Sequence, residues 1–166
     1  MKKILLALDG SDSSMRAARH VGELIAGHDG FEITLFHVCS VPPRLLEHDG
    51  AEDPDKEERL EEALEAEFQQ WRQAKHSEVQ KDVFQGALRV LREAGVDERH
   101  TRLTTRFVTE AHADVASQIL QEQDEHDHDI IALGRHGLST LTELVFGRVA
   151  SRVVRHAKGR AIWVVE

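Results

Sequence analysis

The chain has few of the residues that would tie it to an oxidising compartment, a membrane or a nucleic acid. Its 166 residues include a single cysteine, Cys39. A lone thiol closes no intramolecular disulfide, so a reducing, cytoplasmic setting is the simple expectation. Long apolar runs are also missing. Ile4–Leu8 and Ala161–Val165 are strand-sized, far short of the roughly 20 residues that cross a bilayer. The opening Met1-Lys2-Lys3 is followed by one such run and then by Asp9-Gly10, which leaves no room for a secretory h-region. Basic residues are in deficit: 21 Lys and Arg against 30 Asp and Glu give a formal net charge of −9. Nucleic acid and anionic membranes both call for a basic footprint, so neither is an expected partner.

What remains is the composition of one folded domain covering 1–166. Hydrophobic residues make up 40% of the chain, enough for a sizeable core. Lys3–Leu8 is a short continuous apolar run stopped by Asp-Gly, the pattern of a fully buried strand. Ser11, Asp12 and Ser13 offer N-caps for a helix whose stripe is Met15, Ala18, Val21, Gly22 and Ile25. Phe31–Val38 is a second strand, left through the stiff Val41-Pro42-Pro43. A polar loop, His48–Asp55, precedes a helical region from about Lys56 to Ala94. A kink is expected there near His76-Ser77, with Gly95 at the C-terminus. Thr101–Val108 has the alternation of an edge strand, Ala111–Gln123 is an amphipathic helix, and Asp129–Leu133 is a buried strand ending in Gly134. Val149–Ala157 and Ala161–Val165 give the last helix and strand. This β-α alternation with short apolar strands predicts a parallel sheet with helices on both faces. Ligands of such sheets bind beyond the carboxyl ends of the strands, where the strand order reverses.

One segment carries chemistry. Gly134-Arg135-His136-Gly137 follows a buried strand; nine residues later, Gly147-Arg148-Val149-Ala150 opens a helix. Glycines serve where a chain turns sharply or approaches something closely. A helix N-terminus offers free N–H groups and a positive dipole end, so it binds phosphate without a basic cluster. That is how an acidic protein can still hold an anion. His136 lies inside the motif but has no evident base or nucleophile beside it. Cys39, at a strand end, reads as a structural thiol. Glu125-His126-Asp127-His128-Asp129 reads as a solvated turn rather than a metal site, since no second set of convergent ligands is visible.

The pattern Gly-x2-Gly-x9-Gly resembles the glycine motif of universal stress proteins. The resemblance extends to Ile4-Leu5-Leu6-Ala7-Leu8-Asp9-Gly10-Ser11, to Phe36-His37-Val38 and to Arg152-Val153-Val154-Arg155-His156-Ala157. It implies a three-layer, doubly wound α/β fold: a five-stranded parallel sheet of order 3-2-1-4-5, like flavodoxin and the adenine-nucleotide α-hydrolases. It also implies ATP or another adenine nucleotide as a regulatory ligand, with Mg²⁺ or Mn²⁺ held through phosphate oxygens and water. Ala7, Asp9 and Val38 would lie toward adenine and ribose. Gly134, His136, Gly137, Gly147, Arg148, Val149 and Ala150 would surround ribose and phosphates. The family commonly pairs through the last strand, which implies a homodimer with Ile162, Trp163, Val164 and Val165 at the interface; other protein partners are unknown.

This sequence departs from the motif at one place. The hydroxyl expected after Gly147 is Arg148, and a second one, two residues on, is Ala150. Each missing donor removes about 0.5–1.5 kcal/mol, more toward a charged partner. Arg148 has three readings: a bidentate phosphate clamp, a side chain in solvent, or a block in the pocket. Three functions follow: a nucleotide-binding stress protein with at most slow hydrolysis, a dimeric interaction module of the same fold without nucleotide, and an adenylating enzyme. The third would need a catalytic set and a lid, for which His48–Asp55 is the sole candidate.

Overall fold

The computed structural model describes residues 1–46, 53–108, 114–138 and 147–166. Five strands form one sheet: β1 (Lys2–Ala7), β2 (Phe31–Ser40), β3 (Thr101–Val108), β4 (Ile130–Gly134) and β5 (Ala161–Val165). Their spatial order is β3-β2-β1-β4-β5, and every pairing is parallel. Consecutive parallel strands cannot be joined by hairpins, so helices cross over: α1 (Asp12–Ile25), α2 (Pro54–Val79), α3 (Gln85–Glu93), α4 (Val115–Glu125) and α5 (Arg148–His156).

The period of two in β1 sends Ile4 and Leu6 to one face and Leu5 to the other. All three are fully buried, because both faces are covered. Ile4, Leu6, Ile33 and Leu35 pack with Ala17, Val21, Phe84 and Leu91 of the α1–α3 layer. Leu5, Phe36, Ile131 and Leu133 pack with Ile119, Ala150 and Val153 of the α4–α5 layer. Order and layering match the expectation, and β3 and β5 are the edges.

The break in the long helical region falls later than the sequence suggests. His76-Ser77 stays helical, and the Ser77 hydroxyl donates back to the Gln73 carbonyl at 3.1 Å. The irregularity is a π-turn, Gln80–Phe84, joining α2 to α3. Its extra residue swings Val79, Val83 and Phe84 onto the sheet, all three buried, while the first 25 residues of α2 have none fully buried. Gly95, at φ +91°, closes α3: Val96 N–H reaches back to the Leu91 carbonyl at 3.0 Å, the hydrogen bond of a Schellman end. The start expected at Ala111 for α4, and most of the His48–Asp55 loop, lie outside the described residues. Within them, α4 begins after Asp114, whose carboxylate accepts from Ser117 N–H at 2.9 Å.

Candidate functional site

β1 and β4 are neighbours although more than 120 residues separate them, and the chain leaves them toward opposite faces: after β1 into α1, after β4 toward α5. This is the reversal point of the sheet, and a cavity opens at its carboxyl end. Ala7 and Asp9 line it from β1, Phe36 and Val38 from β2, and Val115 and Ile119 from α4. Leu133, Gly134, Arg135, His136 and Gly137 come from β4 and the loop after it, and Gly147, Arg148, Val149 and Ala150 from the start of α5. All ten residues singled out for a nucleotide therefore share one cavity. It encloses about 110 Å³, less than the several hundred Å³ of a usual ligand pocket. A nucleotide would fill it and extend over its open mouth.

The recess is largely apolar on one side, with Phe36, Val38, Val115, Ile119 and Leu133. Leu8, Ser14, Phe36, Val115, Ile119, Leu133 and Arg135 also line it and were not expected at the site. Leu8, Phe36, Ile119 and Leu133 are core residues and Val115 is an exposed member of the α4 stripe, and nothing in a stripe tells which of its residues reaches a cavity mouth. Arg135 stands inside the glycine motif and could have been included on that ground.

The glycines answer to the chain itself. A Cβ on Gly134 would lie 2.6 Å from the Ser13 hydroxyl oxygen and 2.7 Å from the Ser13 carbonyl carbon. A Cβ on Gly137 would lie 2.7 Å from an Asp9 carboxylate oxygen, and one on Gly147 3.0 Å from the Arg135 carbonyl oxygen. None of the three has a positive φ, so close approach, not a left-handed turn, is what requires them. Asp9 faces Gly137, and Ser13 faces Gly134. One Asp9 oxygen accepts from Ser11 N–H and the other from Leu138 N–H, both at 3.0 Å. Gly147 N–H donates to the Arg135 carbonyl at 2.8 Å and so clips together the two ends of the nine-residue connection.

Gly147 is also the N-cap of α5 and carries no side-chain cap. Ser151 N–H takes the Gly147 carbonyl at 2.9 Å, which leaves the N–H groups of Arg148, Val149 and Ala150 without intrahelical acceptors. Three N–H groups without helical acceptors and a dipole end thus lie beside the cavity. Arg148 is exposed and lines the mouth. Arg135 is instead paired with the Glu166 carboxylate.

A divalent ion fits this donor set poorly. Among the described lining residues the one carboxylate is Asp9. Each of its oxygens already accepts a backbone N–H that holds the loop, and a metal would compete with that bond.

The His-Asp turn needs correction. His128 is not solvated: it is 2% exposed, and its Nε2 lies 2.9 Å from the Thr34 hydroxyl. Burial pushes its pKa down. Asp129 binds Lys2 Nζ at 2.7 Å and Lys3 N–H at 2.9 Å, and the lysine holds its carboxyl below the usual range. Ligand atoms of Glu122, Glu125 and His126 do cluster within 4.8 Å. Arg106 already occupies that position, donating to the two carboxylates at 2.5 and 2.7 Å. Cys39 is buried at 3% exposure, and burial raises its thiol pKa, as suits a structural residue.

The fold and the glycine loop define a doubly wound α/β protein with an anion-ready helix terminus at its switch point. The model of the universal stress protein family matches residues 1–164, and the chain belongs to that family. No curated protein sequence matches it. Among solved structures it is similar to hypothetical protein MJ0577, at 21% identity and TM-score 0.66, covering 99% of this chain and 94% of that one. It is also similar to the universal stress protein UspA from Lactobacillus plantarum, at 20% identity and TM-score 0.56, covering 99% and 97%. A third relative is a universal stress protein in complex with cAMP, at 20% identity and TM-score 0.54, covering 99% and 96%. At such identities these likenesses speak for the fold alone. No helix among the described residues is long and apolar enough to cross a membrane.

Proposed function

We propose that the protein binds ATP or a related adenine nucleotide as a regulatory ligand in the cavity between β1, β4 and α5, and acts as a cytoplasmic stress-response protein. One observation carries the reading. A largely apolar recess, with the size and character for a base, opens directly beside three N–H groups at the start of α5 that have no acceptor within the helix. A planar apolar body joined to an anion is the chemistry that such a pair selects. The similar protein solved with cAMP supports adenine nucleotides as the class. Turnover is expected to be slow or nil, because Asp9, the one carboxylate among the described lining residues, is held by two backbone N–H groups and His136 has no evident nucleophile or partner base beside it.

Titration calorimetry with ATP, ADP and AMP tests this directly. Heat and saturation with at least one of them is expected, and none at millimolar nucleotide refutes it. Arg148 favours a second reading, a dimeric interaction module of the same fold, since both usual hydroxyl donors are gone. A thermal shift with ATP separates the two, because a ligand of the native state must raise Tm. A homodimer through β5 belongs to both readings. β5 is an edge strand whose Ile162, Trp163, Val164 and Val165 are half-buried, and a hydrophobic edge invites pairing with a second copy. Light scattering at micromolar concentration is expected to give twice the mass of 18.7 kDa; a monomer refutes it.

A further inference from the structure

The charges around the cavity are unevenly committed. Asp9, the one carboxylate among the described lining residues, has a backbone N–H on each oxygen. Arg135 is paired with Glu166. Arg152, one turn beyond Arg148 on α5, is paired with Asp114 at 3.0 Å. Arg148 alone of these cations has no ion-pair partner among the described residues, and it is the first residue of α5, whose orphan amides begin with its own. Nucleotide-bound Mg²⁺ is ordinarily secured by one or two carboxylates in addition to phosphate oxygens and water. Here the one carboxylate among the described lining residues is Asp9, and a metal would have to share oxygens that each already accept a backbone N–H. A guanidinium, always charged and with a planar fork of donors, matches two phosphate oxygens without any metal.

We propose that phosphate recognition at this site is metal-independent, with Arg148 supplying the positive charge that a divalent ion would otherwise bring. The inference rests on the adenine-nucleotide reading and fixes how that ligand is held. Arg148 then takes over the work of the two missing hydroxyls and of the ion together. It also makes the site selective for the phosphate itself rather than for its metal complex.

The experiment is calorimetry of the full chain with ATP in two buffers, one containing EDTA and one excess Mg²⁺, for the wild type and for Arg148→Ser. Arg148 is exposed, so the variant should fold, and an unchanged melting temperature without ligand checks this. Wild-type affinity is expected to agree within about twofold between the buffers. Arg148→Ser, which restores the hydroxyl of the family motif, is expected to bind at least tenfold more weakly in EDTA, in line with the loss of a charge-assisted contact, and to recover part of that loss with Mg²⁺. Wild-type binding that disappears in EDTA overturns metal independence but leaves the nucleotide reading standing. Equal affinity of variant and wild type in EDTA overturns the role of Arg148. No heat in any arm refutes the nucleotide reading, and this inference with it.

Discussion

Replacing Gly134 by alanine should damage the fold before it touches any ligand. The added Cβ would lie 2.6 Å from Ser13 Oγ, 2.7 Å from Ser13 C and 2.9 Å from Ser13 O. The hydroxyl can rotate away, but the other two atoms are backbone in the first turn of α1, anchored by the Ser11 cap at 3.1 Å. Relief therefore requires α1 to move off β4, and these two elements share the core that holds Ala17, Val21 and Ala132. Overpacking of this kind costs about 1–3 kcal/mol, and an immovable backbone neighbour puts the cost near the upper end. For a domain of this length each kcal/mol lowers Tm by about 2–4 °C, so a fall of about 6–12 °C is expected. Gly30→Ala is the control: nothing lies within 4 Å of its Cβ, and a change within about 0.5 kcal/mol is expected. Gly147→Ala, at 3.0 Å from the Arg135 carbonyl, should fall between the two. Thermal melts by circular dichroism, without nucleotide, read all three. A Gly134→Ala melt within 2 °C of wild type would refute the reasoning, and space for a ligand would then be the better reason for the glycine. Adding Ser13→Ala removes only the hydroxyl clash, so it should recover less than half of the loss.

Other outcomes follow from the second face and the core. Arg106→Ala leaves the Glu122 carboxylate, 3% exposed, without its guanidinium partner, and should cost about 3 kcal/mol in denaturant unfolding; a loss below 1 kcal/mol would show that water or His126 compensates. Arg106→Met with Glu122→Leu should regain most of that stability, since an apolar pair carries no desolvation debt. His128 has its pKa lowered by burial, so the unfolded chain binds its proton more readily. Its contribution is fully present above the unfolded value of about 6.5 and is lost as pH falls through the window below it. Tm should decline from pH 7 to 5, and His128→Leu should flatten that slope, whereas Asp129, lowered by Lys2, acts only below about pH 4. An unchanged slope in the variant would assign the acid sensitivity to other groups. Cys39 should react with a thiol reagent at least ~100-fold more slowly in the native protein than in denaturant, because it is buried and its thiolate is disfavoured; comparable rates would place it at the surface.

The layers and strand order were legible because they rest on long-wavelength features. Continuous apolar runs at Ile4–Leu8 and Ile130–Leu133 marked buried central strands, and the resemblance supplied their order. Ten of the cavity residues were legible through the same resemblance, because strand ends and the glycine motif converge in this topology. Finer features were not. The π-turn at Gln80–Phe84 carries no breaker residue; it forms because Val79, Val83 and Phe84 must all reach the sheet, a demand of tertiary packing that helical periodicity hides. His128 looked solvated among Glu125, His126, Asp127 and Asp129. Its burial depends on Thr34, 94 positions earlier in the chain, and no local pattern predicts that pairing.

The glycine motif changes meaning once the contacts are known. Gly134, Gly137 and Gly147 meet Ser13, Asp9 and Arg135, three parts of the same chain, so closely that a Cβ at Gly134 or Gly137 would force a shift and one at Gly147 would be tight. They are conditions for building the switch-point loop, and a protein of this fold needs them whether or not it binds a nucleotide. Their presence identifies the scaffold and says little about the ligand. Information about the ligand has to come from groups that the scaffold leaves uncommitted. Among the described residues of this site those include the first amides of α5 and the guanidinium of Arg148, since Asp9 holds the loop and Arg135 pairs with Glu166. The substitution of arginine for a hydroxyl residue after Gly147 is thus the position at which this chain can differ in ligand chemistry from others with the same loop, and it can do so without any cost to the fold.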